Sequence, residues 1–228
     1  MIPRVLEPEV MDTETEAVDY DAMDHGAVNR VFVDDFLAAW QAAAACGSMA
    51  DGETDVLDVG TGTAQVPIEL CRRDETFAVM AIDLAAEMLK VARRNVALAE
   101  LEPRIRLDRV DAKSLPFADR SFDAVISNSI VHHIPDPVLV LAEMRRVLRP
   151  GGLLFVRDLL RPPDAATVDC LVETYAGDAN GHQRQMFRDS LHAALTLQEV
   201  EVMLSAAGLP DAVPTQTTDR HWTVSCRR

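Results

Sequence analysis

Short apolar segments alternate with segments of helical periodicity over the middle of the chain, and this alternation constrains the fold most. Five segments have the pattern of strands, at residues 55–59, 78–83, 105–111, 123–128 and 153–158. Helical segments are predicted between them, at residues 64–73, 85–101 and 137–148. Apolar strands separated by helices indicate a parallel sheet that helices cover on both faces. We therefore predict an α/β fold with right-handed crossovers.

The flanking segments follow other patterns. Residues 27–46 carry apolar side chains at three- and four-residue spacing, which predicts an amphipathic helix with Gly47 as its C-cap. Residues 163–195 have the pattern of helices with polar faces. A capping box at residues 196–199 predicts a helix to about Ala207, which Gly208 ends. Two late strands, at residues 213–217 and 221–226, can form an antiparallel edge on the sheet.

The chain of 228 residues is strongly acidic, with a formal charge of −15. This charge disfavours nucleic acid, whose phosphates need clustered Lys and Arg, and it disfavours an anionic membrane surface. Residues 1–25 contain eight acidic residues and one basic residue, Arg4. The pattern alone leaves two interpretations of this acidic arm open, a solvated mobile segment or a lid that orders over a ligand.

The cysteines and the N-terminus indicate a reducing compartment. The four cysteines lie far apart without a C-x-x-C pair, which fits neither a zinc knuckle nor a disulfide scaffold. The first residues lack a basic start followed by an apolar core, and no run of about 18 apolar residues occurs. The histidines show no metal-ligand spacing. We expect a cytoplasmic protein with free thiols, no membrane span and no metal.

A turn with two glycines follows the first predicted strand. Asp58 lies inside the strand, and the turn is Gly60-Thr61-Gly62. Glycines let the chain turn sharply and let backbone N–H groups approach a ligand closely. A carboxylate at Asp58 would repel a diphosphate, whereas it suits a cation. The turn therefore predicts a ligand site at the carboxyl ends of the strands.

Two further acidic residues end the neighbouring strands. Asp83 follows Gly62 by 21 residues, where a carboxylate can accept hydrogen bonds from both hydroxyls of a ribose. Asp111 ends the third predicted strand, and Ala112 after it is placed to touch the edge of a base. Together with Asp58, these carboxylates predict a crevice for a cationic nucleoside.

This ordered set of motifs resembles the class I S-adenosylmethionine-dependent methyltransferases over about residues 54–160. The residues that match the motifs of that family in order are Asp58, Gly60, Gly62, Asp83 and Asp111. Ala64 replaces the third glycine, which is a mild departure. The segment at residues 127–133 and the LRPGG turn at residues 148–152 also match. The chain looks most similar to the small-molecule branch that includes ubiquinone and menaquinone biosynthesis enzymes.

The resemblance implies a Rossmann-like three-layer sandwich. Its sheet would have seven mostly parallel strands, an antiparallel C-terminal edge and a helical N-terminal cap. It implies one methyltransferase domain over residues 1–228. The parts of that domain are an acidic arm and helical cap at 1–50, a cofactor-binding core at 54–160, and a helical lid segment with terminal strands at 160–228.

The resemblance also implies S-adenosyl-L-methionine as the cofactor and in-line methyl transfer to a small-molecule acceptor. The protein would then chiefly supply proximity, alignment and exclusion of water. The residues expected to bind the cofactor are Asp58, Gly60, Thr61, Gly62, Gln65, Asp83, Leu84, Met88, Asp111, Ala112, Asn128 and Ser129.

Four residues are candidates for a catalytic role. His132 or His133 can act as a base, because imidazole titrates near neutrality, or the pair can pack and hydrogen-bond a loop. Tyr20 is expected over the methionine part of the cofactor or as an anchor of the arm. Arg157 is expected to face the acceptor or to form a structural ion pair. Residues that can bind an anion, or else form a solvated helix face, are Arg184, Arg188 and His192.

Other functions stay open beside methyl transfer. The same fold can bind the cofactor and catalyse a different reaction, and a noncatalytic protein could use the acidic arm as its contact surface. A nicotinamide-dependent oxidoreductase is disfavoured by Gln65, in the place of its third glycine, and by Asp58. The expected partner is a small molecule rather than nucleic acid or membrane, and the chain is expected to be a monomer or homodimer.

Overall fold

The computed structural model describes residues 2–10, 12–23, 26–45 and 52–228. The strands are β1 (Thr54–Val59), β2 (Phe77–Asp83), β3 (Ile105–Arg109), β4 (Phe122–Asn128), β5 (Leu148–Leu159), β6 (Thr215–Gln216) and β7 (His221–Arg227). The helices are α1 (Glu14–Ala22), α2 (Gly26–Ala45), α3 (Gln65–Arg73), α4 (Ala86–Leu98), α5 (Pro137–Val147), α6 (Ala165–Ala176), α7 (Gly181–Ala193) and α8 (Leu197–Ala206). A 3-10 turn, Val131–His133, follows β4.

All seven strands form one sheet in the order β3-β2-β1-β4-β5-β7-β6. The first five strands are parallel, whereas β7 runs antiparallel to both β5 and β6. Strands β2 and β3 lie on one side of β1, whereas β4 and the strands after it lie on the other side of β1. Ligands bind in α/β sheets at this reversal of strand order. The predicted fold class is confirmed.

Helices bury apolar side chains on both faces of the sheet, which gives three layers. On one face, Phe36 and Trp40 of α2 pack against Phe77 of β2, with ring centroids 5.9 and 5.7 Å away. On the other face, Met144 of α5 and Leu204 of α8 belong to one buried cluster. Fully burying an apolar side chain of this size contributes about 1.5–3 kcal/mol relative to leaving it exposed.

The acidic arm packs against the core in its described part. A capping box between Thr13 and Glu16 begins α1. Asp21 of α1 accepts hydrogen bonds from Arg94 and Asn95 of α4, at 3.0 and 2.8 Å. Asp12 accepts from the backbone N–H of Glu87 at 2.9 Å, in the first turn of α4, where the helix dipole favours an anion. The described part of the arm is therefore packed against α4, whereas its closing over a ligand stays a prediction.

Two elements end earlier than the sequence predicts. Helix α4 ends at Leu98 instead of residue 101, because Glu100 adopts a left-handed conformation with φ +58°. Leu101 N donates to Val96 O, and Glu100 N donates to Ala97 O, as in a Schellman motif. Strand β3 ends at Arg109, so the turn that holds Asp111 begins two residues beyond the strand. Glutamate is an unusual residue at such a helix end, so the earlier end of α4 could not be predicted from the residue type.

The LRPGG motif lies inside β5 rather than in a turn before it. Leu148 pairs with Phe122 and Leu153 pairs with Ala124, so the residues between form a bulge. Gly151 has φ +81°, and a Cβ on Gly152 would lie 2.6 Å from the carbonyl oxygen of Asp123. Both glycines are therefore required by the bulge.

The predicted helices at the two ends are present. The capping box is confirmed, since Glu199 N donates to Thr196 Oγ1 and Thr196 N donates to the Glu199 carboxylate. Gly208 follows the end of α8 with φ +81°. Helix α2 matches the predicted helix, and its proposed cap, Gly47, lies outside the described residues. Among those residues, none of the helices combines the length and the apolar character that a membrane crossing requires.

Candidate active site

A cavity of about 110 Å³ opens at the carboxyl ends of β1, β2 and β4. We call it the first cavity. Nine residues expected to bind the cofactor line it: Gly60, Gly62, Asp83, Leu84, Met88, Asp111, Ala112, Asn128 and Ser129. The strand-end glycines and carboxylates thus converge on the crevice that the strand order predicts.

The glycine turn approaches the cavity with its backbone. Gly60 and Gly62 have φ +76° and +55°, the left-handed region that favours glycine. The N–H groups of Gly60 and Thr61 both donate to Ile82 O at 2.9 Å, which ties the turn to β2. Ala64, at the third glycine position, also has a left-handed φ of +64° and is fully buried.

Asp83 connects the end of β2 to the glycine turn. Its Oδ2 accepts from Gly62 N and its Oδ1 accepts from Ala85 N, both at 2.8 Å. Burial raises the pKa of this carboxyl above its ordinary value, and the backbone N–H donors oppose the rise. The side chain is thus held in one orientation at the wall of the cavity.

Three of the expected cofactor residues lie behind the wall instead of on it. Asp58 is buried under the turn, and its Oδ2 has no hydrogen-bond partner. Gln65 donates to Asp21 Oδ1 at 3.2 Å and so joins α3 to α1. Thr61 is buried in the turn. Direct cofactor contact is therefore not assigned to Asp58, Thr61 or Gln65, because none of them lines the first cavity.

Burial of Asp58 makes stability depend on pH. Burial and the neighbouring Asp83 raise the pKa of the Asp58 carboxyl to about 7. The folded state therefore keeps this proton at a pH where the unfolded chain has lost it. This difference lowers the free energy of unfolding as pH rises. The decrease is absent below about pH 4, grows between pH 4 and 7, and reaches up to about 4 kcal/mol above about pH 7.

Asp58→Asn should remove this decrease. We expect the variant to match the parent near pH 4 and to exceed its free energy of unfolding above pH 7, as measured by urea unfolding across that range. Asp108→Asn is the matched control, because Asp108 is an exposed carboxylate on β3. A difference between Asp58→Asn and parent that stays constant from pH 4 to 8 would contradict the assignment.

The N-terminal arm supplies Tyr20, which was expected near the cofactor, and two lining residues that sequence reasoning missed. Glu9 and Val10 line the first cavity, and Glu9 forms an ion pair with Lys113, which also pairs with Asp111 at 3.1 Å. Tyr20 of α1 lines the cavity as well, with Cε1 3.7 Å from where a Cβ on Gly62 would lie. The acidity of the arm was the available signal, but it does not identify individual residues.

A second cavity of about 600 Å³ adjoins the first. The residues that line both cavities are Tyr20, Asn128, Ser129 and His133. Helices α6 and α7 contribute Tyr175, Met186 and Phe187 to the second cavity, and His132 lines it too. Burial, together with Asp83, raises the pKa of Tyr20 to about 12, so its hydroxyl keeps its proton near neutral pH.

His132 and His133 lie on the 3-10 turn after β4. Asp158 of β5 holds this turn, because one of its carboxylate oxygens accepts from the N–H groups of Val131 and His132, at 2.5 and 3.2 Å. Its other oxygen lies 2.5 Å from His132 Nδ1. Glu7 from the arm approaches both rings, with its Oε1 3.5 Å from His132 Nε2 and 3.1 Å from His133 Nδ1. The pair is thus held from two sides.

Arg157 forms a structural ion pair, which was one of the two roles expected for it; the other was contact with the acceptor. Its guanidinium pairs with Asp35 at 2.5 Å and donates to Thr223 Oγ1 at 2.9 Å. The guanidinium also lies over the rings of Phe32 and Phe155, at 5.7 and 5.8 Å. Arg157 lines neither cavity, so contact with an acceptor is not assigned to it.

The polar face of α7 is solvated. Arg184 pairs with Glu173 at 2.7 Å, and Arg188 pairs with Asp169 at 2.6 Å. Neither arginine lines either of the two cavities, and neither does His192. Contact of these three residues with an anion in either cavity is therefore not assigned.

Comparison with known proteins agrees with this geometry. Residues 57–156 match the family described as "Methyltransferase domain". A demethylmenaquinone methyltransferase of Deinococcus radiodurans is 37% identical over 139 residues, which cover 61% of this chain and 56% of the relative. A 27-O-demethylrifamycin SV methyltransferase of Amycolatopsis mediterranei is 29% identical over 76% of this chain and 61% of its own. The chain thus spans little more than half the length of these relatives.

A solved structure shares the fold over most of the chain. It is a SAM-dependent methyltransferase from Aquifex aeolicus, with a TM-score of 0.62 at 19% identity. The match covers 93% of this chain and 97% of that one. The motif order, the strand order and the family match agree with one another. Residues 57–156 thus match a methyltransferase domain, and the fold over most of the chain is that of a solved methyltransferase.

Proposed function

We propose that the chain transfers a methyl group from S-adenosyl-L-methionine, bound in the first cavity, to a small-molecule acceptor in the second. One observation carries this proposal: the two cavities share Tyr20, Asn128, Ser129 and His133 as common walls. A methyl group at this junction would face both ligands. The reaction needs that proximity, because in-line displacement requires the acceptor atom, the methyl carbon and the sulfur to align.

The residues around the first cavity fit the cofactor. Asp83 lies at the end of β2 with its carboxylate fixed by two backbone N–H groups, where it can accept from ribose hydroxyls. Asp111 and Ala112 would contact the adenine end. The left-handed glycine turn leaves room for the methionine part beside Tyr20. When bound, the cofactor supplies a methyl group on a sulfonium, whose leaving group is a neutral thioether.

The chain's own residues would align the reactants and exclude water. Tyr20, which stays protonated, covers the glycine turn from the arm side. Its neighbours Glu9 and Val10 close the first cavity from the same side. His133 and His132 would contact the acceptor, because both line the second cavity. Closing a site from water in this way strengthens the electrostatic interactions inside it.

The acceptor is proposed to be an organic molecule with both apolar and polar groups. Apolar side chains of α6 and α7 line one part of the second cavity, and polar ones such as Gln183, Ser190 and Arg220 line another. Relatives are named for demethylmenaquinone and for 27-O-demethylrifamycin SV, which supports a ring-containing acceptor.

The test is turnover with a panel of acceptors. The full chain is incubated with S-adenosyl-L-methionine and candidate quinols and phenols, and both products are measured by mass spectrometry. We expect one methylated product for each S-adenosylhomocysteine released. A changed acceptor that forms without S-adenosylhomocysteine release would instead indicate another reaction, one that leaves the methyl group on the cofactor. Binding with neither release nor a changed acceptor would favour a noncatalytic protein.

A further inference from the structure

Three potential metal ligands from distant parts of the chain meet beside the junction of the two cavities. Glu7 comes from the arm, and His132 and His133 come from the turn after β4. Their ligand atoms, Glu7 Oε1, His132 Nε2 and His133 Nδ1, all lie within 4.8 Å of one another. Among the described residues, no other group of three His, Cys, Asp or Glu side chains is arranged in this way.

The three ligand atoms are buried and have no hydrogen-bond partner outside the cluster, within which Glu7 Oε1 pairs with His133 Nδ1 at 3.1 Å. A buried polar atom without a full set of partners costs about 1–3 kcal/mol, so native structures contain few of them. Three buried atoms that face only one another therefore point to a ligand that all three share. His132 is 3% exposed and Glu7 is 11% exposed, so solvent does not replace that ligand freely.

The spacing of these atoms suits a small divalent cation. A tetrahedral ion with bonds of about 2.0–2.1 Å places its ligand atoms about 3.3 Å apart. Glu7 Oε1 lies 3.1 Å from His133 Nδ1 and 3.5 Å from His132 Nε2, on either side of that value. Two histidines and one carboxylate leave a coordination position open, as in catalytic zinc sites and in iron(II) facial triads.

A second carboxylate orients one of the imidazoles. Asp158 Oδ1 lies 2.5 Å from His132 Nδ1, so it accepts the proton on that nitrogen and leaves the Nε2 lone pair facing the cluster. Asp158 is itself fixed by the N–H groups of Val131 and His132. Metal-bound histidines usually have such a carboxylate partner, and it increases their strength as ligands.

The local charge also suits a dication. Glu7 and Asp158 contribute two negative charges near the cluster. Arg4 contributes one positive charge, and its guanidinium donates to the carbonyl oxygens of His132 and Ala193, at 3.1 and 2.8 Å. The same hydrogen bonds anchor the arm that delivers Glu7. With neutral imidazoles the cluster is therefore one charge negative, which favours a cation.

We propose that Glu7, His132 and His133 bind one divalent transition-metal ion of the zinc class. Its open coordination position faces the second cavity, which His132 and His133 line. An acceptor oxygen bound there would be oriented toward the methyl group, and the metal would favour its deprotonated form. This role for the metal rests on the proposed function, whereas the metal site itself does not.

The test is metal binding by the full chain without an affinity tag. After removal of metal with a chelator, calorimetric titration with Zn²⁺ should give one ion per chain with micromolar or tighter affinity. Titration with Co²⁺ should give visible absorption bands of low-coordinate cobalt. It should not give the intense near-ultraviolet band of thiolate ligation, which would point to the cysteines instead. Failure to bind either ion overturns the proposal.

Variants identify the ligands. Glu7→Gln and His133→Ala should each weaken Zn²⁺ binding at least 100-fold, whereas His192→Ala, which changes a histidine outside the cluster, should leave it unchanged. Binding of Zn²⁺ that survives both cluster variants overturns the proposal.

Titration with S-adenosylhomocysteine is the control for folding, because Glu7→Gln should still bind this ligand. If the parent binds S-adenosylhomocysteine but no metal, only this proposal fails. If it binds metal but not S-adenosylhomocysteine, the proposed function fails instead.

Discussion

Asp83→Ala should weaken binding of S-adenosylhomocysteine at least about 100-fold, which corresponds to roughly 3 kcal/mol. The carboxylate would accept hydrogen bonds from the ribose, and hydrogen bonds to a charged group contribute about 1.5–3 kcal/mol each. The change also removes the acceptor of Gly62 N and Ala85 N, which ties the end of β2 to the glycine turn. Calorimetric titration of parent and variant measures the loss.

Two further variants separate binding from folding. Asp83→Asn keeps the shape and one acceptor oxygen, so we expect it to fold and still to lose most of the affinity. Asp108→Asn removes the same charge from an exposed position on β3 and should bind like the parent. Affinity of Asp83→Asn within threefold of the parent would show that this carboxylate does not hold the ligand.

Gly60→Ala should damage both stability and cofactor binding. Gly60 has φ +76°, which costs an L-residue about 1–2 kcal/mol. A Cβ there would also overlap the side chain of Ile130, with its Cδ1 only 2.7 Å away. Such overpacking costs about 1–3 kcal/mol, and any relief must displace Ile130, which lines the first cavity. We expect a loss of roughly 2–5 kcal/mol in unfolding free energy, by urea titration, with much weaker S-adenosylhomocysteine binding.

Gly181→Ala is the matched control for this substitution. Gly181 begins α7, and a Cβ built on it would meet nothing within 4 Å. Alanine is also the better helix former, so this variant should equal or exceed the parent in stability. If Gly60→Ala behaves like Gly181→Ala in both measurements, the close approach of the turn to Ile130 is not a constraint on the site.

The sequence predicted the sheet and most of the residues that line the first cavity, because both follow local patterns. Apolar strands end in glycines or carboxylates, and parallel strands bring those ends to one edge. Asp83 and Asp111 line the first cavity, as their spacing predicts, although β3 ends two residues before Asp111. Their contact with a cofactor stays a prediction. Asp58 does not line this cavity, because the period of a strand shows which side chains share a face but not how deep the turn buries them.

The rest of the site depends on contacts between distant segments. Glu7 and His132 are more than 100 residues apart, and only packing of the arm against the turn after β4 brings them together. Arg157 has the pattern of a strand-end residue, but its ion pair requires Asp35 of α2, 122 positions away. Neither pair of residues is close in the sequence or part of a repeating pattern, so a single sequence does not predict these contacts.

The central claim is that the two cavities hold the two reactants, and a crystal structure with S-adenosylhomocysteine tests it most directly. We predict that the ribose hydroxyls lie within hydrogen-bond distance of the Asp83 carboxylate. We also predict that the sulfur faces the second cavity beside Tyr20 and His133. A ligand bound elsewhere, or a sulfur that faces away from the second cavity, would contradict the account.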